Sequence, residues 1–316
     1  MKADVVITGI GMVAPLGSTA RACGEAWRAG ACAPRRRVQE LAGTRLEACE
    51  AAVLPAFDAA ARLGGRRMLK YMSDAALLGC LAAREAAEDA AIKRRFAPER
   101  IGLYAGTGLA AASVQDVLPM LRQSLDDEGR FSCRCLGEKG LAAANPLLSF
   151  KILANMPPCL VSLLENIKGP SLIFNPWEGQ TGAALLEAWR AVASGEVDAA
   201  LAGAADNPAH PATLVYLKSA GLIGPGEFPA AAAAYLVFEG EDSARREHQR
   251  VYAKIMSISQ AAAAQPEVSD PLAARMGRTY AAAPAVLLAL ASVAADARVS
   301  LCGVDRQLFQ AEVRPL

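Results

Sequence analysis

The chain is poor in histidine, carries no excess of charge of either sign, and has no long apolar run. Its 316 residues include two histidines, and 33 lysines and arginines stand against 32 aspartates and glutamates. This balance argues against a dedicated nucleic-acid-binding protein, which needs a basic face. Because no stretch of about 18 strongly apolar residues occurs, the sequence predicts no membrane span.

The eight cysteines predict neither disulfides nor a metal site. Cys23, Cys49 and Cys80 lie in Ala-rich patterns typical of helices, where a reduced cysteine behaves as a small buried apolar residue. Cys133 and Cys135 are the only close pair, and two histidines are too few to complete a zinc set with them. We therefore expect no metal, no cofactor and a reducing, cytoplasmic location.

What the chain does have is a core-rich composition, with 53% hydrophobic and 21% charged residues. Strand-like runs alternate with Ala-rich helices, which indicates an α/β protein with a buried, mostly parallel sheet. Strands are predicted at residues 5–8, 101–105, 171–174, 199–202 and 234–239, and helices at about 72–90, 114–126, 146–153 and 182–194. Residues 261–270 are polar and contain proline, which favours a loop or disordered link.

The apolar N-terminus is better explained by a strand than by an export signal, because Asp4, Gly9 and Gly11 interrupt it. Residues 9–14 also satisfy a dinucleotide-binding pattern, which is weak by itself. Pro15 stands where the phosphate-binding helix should already be under way, and its ring would break that helix. We favour a plain strand.

Six segments, in the same order along the chain, resemble the β-ketoacyl synthases. They are residues 5–17, 66–76, 101–108, 145–146, 155–157 and 202–206. This resemblance spans nearly the whole chain and implies an α/β, thiolase-like layered αβαβα fold built from two related halves. We expect an N-terminal ketosynthase-like half at residues 1–240 and a shortened C-terminal half at residues 241–316.

Residues 168–190 predict a strand, a sharp turn and a buried helix, and in this family the turn carries a nucleophilic cysteine. Counted from Lys168 without a gap, that cysteine falls on Glu178. A carboxylate cannot hold an acyl chain as a stable thioester. The resemblance therefore implies a condensing enzyme that lacks its condensing residue.

Other expected groups are missing as well. The family has two histidines in the second half. The segment that would carry the first, after residues 251–255, is missing, and Arg278 replaces the second. The glycine-rich closing loop beside the nucleophile has shrunk to residues 302–307. Losing one member of such a set of catalytic groups lowers the reaction rate by several orders of magnitude. We expect no condensation by this chain alone.

Three roles stay open for Glu178: a structural one, as a helix cap or a partner of Arg278; residual chemistry; or contact with a ligand or partner. The helix N-terminus favours its charged form by roughly 0.3–1 kcal/mol, whereas burial favours the neutral form. Some chain-length factors, the inactive partners of ketosynthases, have glutamine at the cysteine position. Gln180 is the only nearby amide that could imitate it.

The resemblance implies a catalytically degenerate homologue that acts as a chain-length-factor-like or scaffold partner of an active ketosynthase, in polyketide, aryl-polyene or fatty-acid-type biosynthesis. In this family the strand at 171–174 pairs with the partner's copy, and the loop at 157–166 reaches toward the partner's tunnel. The pocket and interface candidates are Leu160, Leu163, Leu164, Phe174, Trp177 and Gln180.

Two other functions are alternatives: a homodimer that binds an acyl thioester or a carrier protein, and a malonyl-thioester decarboxylase that uses Glu178. Residues 35–37 and 66–67 are arginines, which form either solvated surface or a patch for an acidic acyl carrier protein. His210 lies between two prolines and is expected to be a loop residue, with a catalytic base as the weaker interpretation.

Overall fold

The computed structural model describes residues 3–109, 112–263, 269–294 and 297–315. The strands in these ranges are β1 (Val5–Val13), β2 (Arg35–Arg37), β3 (Glu50–Ala52), β4 (Ile101–Thr107), β5 (Ser171–Phe174), β6 (Ala199–Asp206), β7 (Ala232–Gly240), β8 (Ala253–Ala262), β9 (Arg298–Cys302) and β10 (Gln307–Pro315). The α-helices are α1 (Ala20–Arg28), α2 (Ala59–Leu63), α3 (Asp74–Asp89), α4 (Ile92–Arg95), α5 (Val114–Gln123), α6 (Cys133–Cys135), α7 (Leu148–Ile152), α8 (Met156–Glu165), α9 (Glu178–Ser194), α10 (Pro211–Ser219), α11 (Glu241–Arg246) and α12 (Ala283–Ala294).

An eight-stranded sheet organises the molecule, in the order β5-β4-β6-β7-β1-β8-β10-β9. β5, β4 and β6 are parallel to one another, and the other neighbouring strands are antiparallel. The strand order is symmetric about the β1–β8 pair. We call β1 and the strands before it in this order the first side of the sheet, and β8, β10 and β9 the second side, so that β7 and β6 correspond to β10 and β9. In the described ranges no strand of the second side corresponds to β4 or β5. The second half of the fold is therefore shortened, as expected.

Two helices, α9 and α12, lie against each other between the two sides of the sheet. α9 contacts β4 and β6 of the first side and β8 and β10 of the second, and α12 contacts both β7 and β10. The main apolar core surrounds them and includes Leu185, Phe238, Leu288 and Phe309. α3 packs on β1, β6 and β7 within a separate apolar cluster. Because α9 packs between the two halves of the sheet, its first residue lies near the centre of the fold.

The second side of the sheet exposes its outer face. Ile258, Val299 and Phe309 point inward and are buried, whereas Met256 and Gln310 are exposed. Such alternation is typical of a sheet that has one face in water. It explains physically how a shortened half can fold without a complete outer layer.

Gly9 and Gly11 let β1 pack directly against α3. A Cβ atom on Gly11 would lie 1.9 Å from the carbonyl oxygen of Ala82, and Gly9 is similarly enclosed. The carboxylate of Glu85 on α3 accepts a hydrogen bond from the backbone N–H of Met12 at 3.0 Å. The glycines thus serve helix–strand packing, and the interpretation of this segment as a strand is confirmed.

The predicted α/β class and all five predicted strands are confirmed. The expected mostly parallel sheet is wrong, because five of its seven strand pairings are antiparallel. The segment at 157–166, expected to be a loop, is instead helix α8. Pro157 and Pro158 lie in its first turn, where the missing N–H of proline costs no helical hydrogen bond. Helix α9 begins at Glu178, before the predicted residue 182. The expected helical position of Cys49 is also wrong, since it precedes β3 outside any helix.

Part of the predicted loop at 261–270 extends β8 to Ala262, and residues 264–268 lie outside the described ranges. All eight cysteines are free. No helix in the described part of the chain is long and apolar enough to cross a lipid bilayer.

Exposed apolar side chains are concentrated in one segment that ends at β5. Of the thirteen large hydrophobic residues that are exposed in the described ranges, ten lie between residues 121 and 173. They are Leu121, Leu125, Phe131, Leu141, Phe150, Ile152, Leu153, Leu163, Leu172 and Ile173. We call these ten residues the apolar surface. β5 is also the edge strand of the sheet that the structure describes, and its outer backbone groups have no strand partner there.

Candidate functional site

Residues from the second half of the chain form hydrogen bonds with the start of α9. Glu178 is the first residue of α9 and is 1% exposed. The Asp305 carboxylate accepts a hydrogen bond from the Gly179 N–H at 2.9 Å. The Gln260 side-chain amide donates one to the Gly179 carbonyl oxygen at 2.7 Å. The helix N-terminus is thus capped and positioned by β8 and by the loop between β9 and β10.

The carboxylate of Glu178 is enclosed by that same loop. Its Oε1 lies 3.4 Å from Nη2 of Arg278, and its Oε2 accepts a hydrogen bond from the Val304 N–H at 3.3 Å. A Cβ atom on Gly303 would lie only 2.7 Å from the Cβ of Glu178. The expected pairing of Glu178 with Arg278 is therefore present, and the loop leaves no space above it.

Arg278 is buried and faces three carboxylates. Besides Glu178, its guanidinium lies 3.3 Å from Glu227 and 4.0 Å from Asp270. Among the residues that the structure describes, Oδ2 of Asp270 and Nε of Arg278 have no hydrogen-bond partner. We call Glu178, Glu227, Asp270 and Arg278 the charge cluster. One buried cation cannot fully compensate three carboxylates, and some of them must resist ionisation.

The proton occupancy of the charge cluster changes near neutral pH. Burial raises the pKa of Glu178 to about 7, against the lowering influence of Arg278. Burial also raises the pKa of Asp270 to about 6. The site can therefore hold and release a proton. The side chain at the head of α9 is the carboxylate of Glu178.

A second buried carboxylate, in the first half of the chain, accepts a hydrogen bond just before the central helix of the second half. Asp206, at the end of β6, accepts a hydrogen bond from the Ala281 N–H at 3.2 Å, just before α12. Its Oδ1 has no hydrogen-bond partner in the described part of the chain, and burial raises the pKa of its carboxyl well above the ordinary range. Each half of the fold thus uses an aspartate to hold the central helix of the other half.

Aromatic rings cover the turn from the remaining side. Trp177 stacks on Tyr216 with ring centroids 6.5 Å apart, and it contacts the Tyr280 ring at 6.2 Å. Glu178 and Arg278 are both buried, with 1% and 4% of their surface exposed. Together, the rings and the closing loop separate Glu178 from solvent.

The structure does not bring the predicted leucines to Glu178. All three lie on α8: Leu160 is buried and Leu164 packs beside it in the α3 cluster, while Leu163 is 66% exposed. Phe174 packs against the main core, and Gln180 is half-buried in the first turn of α9. Their role at a pocket or interface stays a prediction.

Sequence reasoning missed Glu227, Asp270, Asp305 and Gln260. Each lies in a loop or strand distant in sequence from α9, and no local spacing connects it to Glu178. Asp206 gave a weak signal, as an acidic residue that ends an apolar strand. A carboxylate at the end of a buried strand needs a partner, and the N-terminus of α12 provides it.

Comparison with known proteins shows the family and the fold. The family profile for the N-terminal domain of β-ketoacyl synthases matches residues 2–239. No curated protein matches the chain in sequence.

Solved structures share the fold. A chain of AntDE:AntF, a type II polyketide synthase acyl-carrier protein in complex with its ketosynthase, is 13% identical with a TM-score of 0.77, over 99% of this chain and 100% of that one. A chain of the ishigamide ketosynthase/chain length factor is 16% identical with a TM-score of 0.77, over 100% of both chains. A β-ketoacyl synthase from Burkholderia phymatum STM815 is 20% identical with a TM-score of 0.67, over 93% of this chain and 71% of that one.

The order of strands, the central helix pair and the turn at Glu178 thus occur in a thiolase-like ketosynthase fold whose second half is shortened. The chain belongs to the β-ketoacyl synthase family.

Proposed function

We propose that this protein is a catalytically degenerate ketosynthase homologue that serves as a chain-length-factor-like partner of an active ketosynthase. The observation that carries the proposal is the enclosed pair of Glu178 and Arg278 at the head of α9. A nucleophile must be reachable by its substrate, and Glu178 is buried under the closing loop. The protein then contributes a surface to a shared assembly and leaves the chemistry to its partner.

The apolar surface supports a subunit interface. Monomeric proteins rarely expose a large contiguous apolar patch, and such patches mark interaction sites. Here ten exposed apolar residues lie within about fifty residues of chain, and the segment ends at an unpaired edge strand. An edge strand adds a neighbouring strand readily. A second subunit of the same fold, with its own β5, satisfies both features.

The proposed interface is tested by changing Leu172 and Ile173 to lysine together. We expect the wild-type protein to form a dimer when co-expressed with a ketosynthase of the same genome. The double variant should associate at least about 100-fold more weakly, because each apolar side chain contributes roughly 1.5–3 kcal/mol on burial. Size-exclusion chromatography with light scattering measures the complex.

Met256→Lys is the matched control. Met256 is 42% exposed and also lies on a strand, but on the outer face of the second half. This change should leave the complex intact. A wild-type protein that stays monomeric both alone and with the ketosynthase would contradict the proposal, as would a homodimer that excludes the ketosynthase. The latter result would favour the homodimeric acyl-thioester or carrier-protein binder.

A decarboxylase role for Glu178 has a direct test. We expect Glu178→Ala to release carbon dioxide from a malonyl thioester at the same background rate as the wild type, because the carboxylate is enclosed and paired. The rate is measured by trapping carbon dioxide with purified protein and malonyl-coenzyme A. A loss of tenfold or more in the variant would restore the catalytic alternative.

A cytoplasmic location and a supply of acyl chains from a carrier protein complete the proposal. Free cysteines, all eight of them, support a reducing compartment. Polyketide, aryl-polyene or fatty-acid-type synthesis is the setting in which such a partner subunit would act.

A further inference from the structure

A cavity of about 640 Å³ lies away from Glu178, between the β2–β3 hairpin and the N-terminal ends of α3, α5 and α10. Its size falls in the range of pockets that bind small molecules. Apolar side chains such as Leu54, Phe57 and Leu77 line one part, and Arg36, Arg37 and His210 line another. The cavity is thus amphipathic, and it shares no lining residue with the charge cluster.

His210 presents an unused hydrogen-bond donor at this cavity. Its side chain is 7% exposed, and Nδ1 accepts a hydrogen bond from the Ala212 N–H at 3.3 Å. Burial lowers the pKa of His210, so the ring is neutral at pH 7. A neutral ring that accepts at Nδ1 carries its proton on Nε2. Within the described ranges no acceptor meets hydrogen-bond geometry at Nε2. A backbone acceptor at Ala112 acts on the ring and raises its pKa, against the larger effect of burial.

Other donors converge on the same cavity. Val114 and Gln115 line it in the first turn of the ten-residue helix α5, where backbone N–H groups lack partners within the helix. Arg36 and Arg37 are exposed and form no ion pair in the described structure. Of the carboxylates that also line the cavity, Asp74 already accepts a hydrogen bond from Asn207 at 3.1 Å, and Glu40 is exposed.

We propose that this cavity binds a small amphipathic anion, with a carboxylate or phosphate head near His210, Arg37 and the start of α5 and an apolar tail against Leu54, Phe57 and Leu77. The head supplies a well-aligned acceptor for the buried Nε2–H. Arginine pairs well with either oxyanion. The inference is independent of the proposed function, because it concerns neither Glu178 nor the apolar surface.

The test compares octanoate and octyl phosphate with octanol and inorganic phosphate, each by isothermal titration calorimetry at pH 7. We expect at least one of the two amphipathic anions to bind at least tenfold more tightly than octanol and than inorganic phosphate. The stronger of the two identifies the head group. The double change Arg36→Gln/Arg37→Gln should weaken its binding about tenfold. Arg66→Gln/Arg67→Gln, which alters two exposed arginines outside the cavity, should not.

Nitrogen NMR of the two imidazole rings locates the ligand. The chain has only His210 and His248, and His248 is exposed. Bound anion should shift the Nε2 resonance of His210 and leave His248 unchanged. Equal affinity for octanol, an unaffected Arg36→Gln/Arg37→Gln variant, an unshifted His210, or absence of binding by both anions would each overturn the proposal.

Discussion

Arg278→Met should destabilise the folded protein by about 3–5 kcal/mol at pH 8, the typical cost of removing one partner from a buried ion pair. Arg278 is 4% exposed, and Glu178 and Asp270 are each buried beside it. Without the cation, these carboxylates must either stay charged in an apolar interior or take up protons against the solution pH. Urea unfolding, followed by circular dichroism, measures the change in free energy.

The double variant Arg278→Met/Glu178→Gln is the matched control. It removes both charges of the closest pair, and an ion pair replaced by neutral groups of similar size often costs little. We expect it to recover a substantial part of the lost stability. A single Arg278→Met variant within about 1 kcal/mol of the wild type would show that the guanidinium is hydrated and not part of a buried cluster.

Raising the pH from 5 to 8 should lower the stability of the wild-type protein. The pKa of Glu178 is about 7 in the folded protein, against an ordinary value of 4.5. Between these two pH values the folded state binds more protons than the unfolded state, so the free energy of unfolding falls as pH rises and levels off above 7. The loss from Glu178 alone is about 3 kcal/mol.

Glu178→Gln separates this contribution from those of other groups. The amide does not titrate, so the fall in unfolding free energy between pH 5 and 7 should become shallower in the variant. A smaller slope remains, because Asp270, with a pKa raised to about 6, still titrates. Parallel pH profiles of the wild type and the variant, each measured by urea unfolding at several pH values, would refute the raised pKa of Glu178.

The strands and helices with clear local patterns could be predicted without the structure. β5 was placed from a short apolar run before a turn, and the central part of α3 from its small apolar stripe. Helix α8 was missed because Pro157 and Pro158 resemble a helix break, although proline is well tolerated in the first turn. The sequence reasoning did not place β8, β9 and β10, although buried and exposed residues alternate along β9 and β10. Pairing with distant strands decides the conformation of such segments.

The sequence by itself determined the family. It also predicted the loss of a thiol at Glu178 and the replacement of a histidine by Arg278, and these two assignments stay predictions. Such assignments depend only on which residue types occur at which spacing, and both can be read from the sequence. Only the tertiary structure decided that Glu178 is enclosed, that Asp270 and Glu227 join it around Arg278, and that Asp305 caps α9. Those contacts join residues up to 126 positions apart, because two halves of one sheet close around a central helix pair. Burial and charge balance arise from that closure, and no stretch of local sequence encodes them.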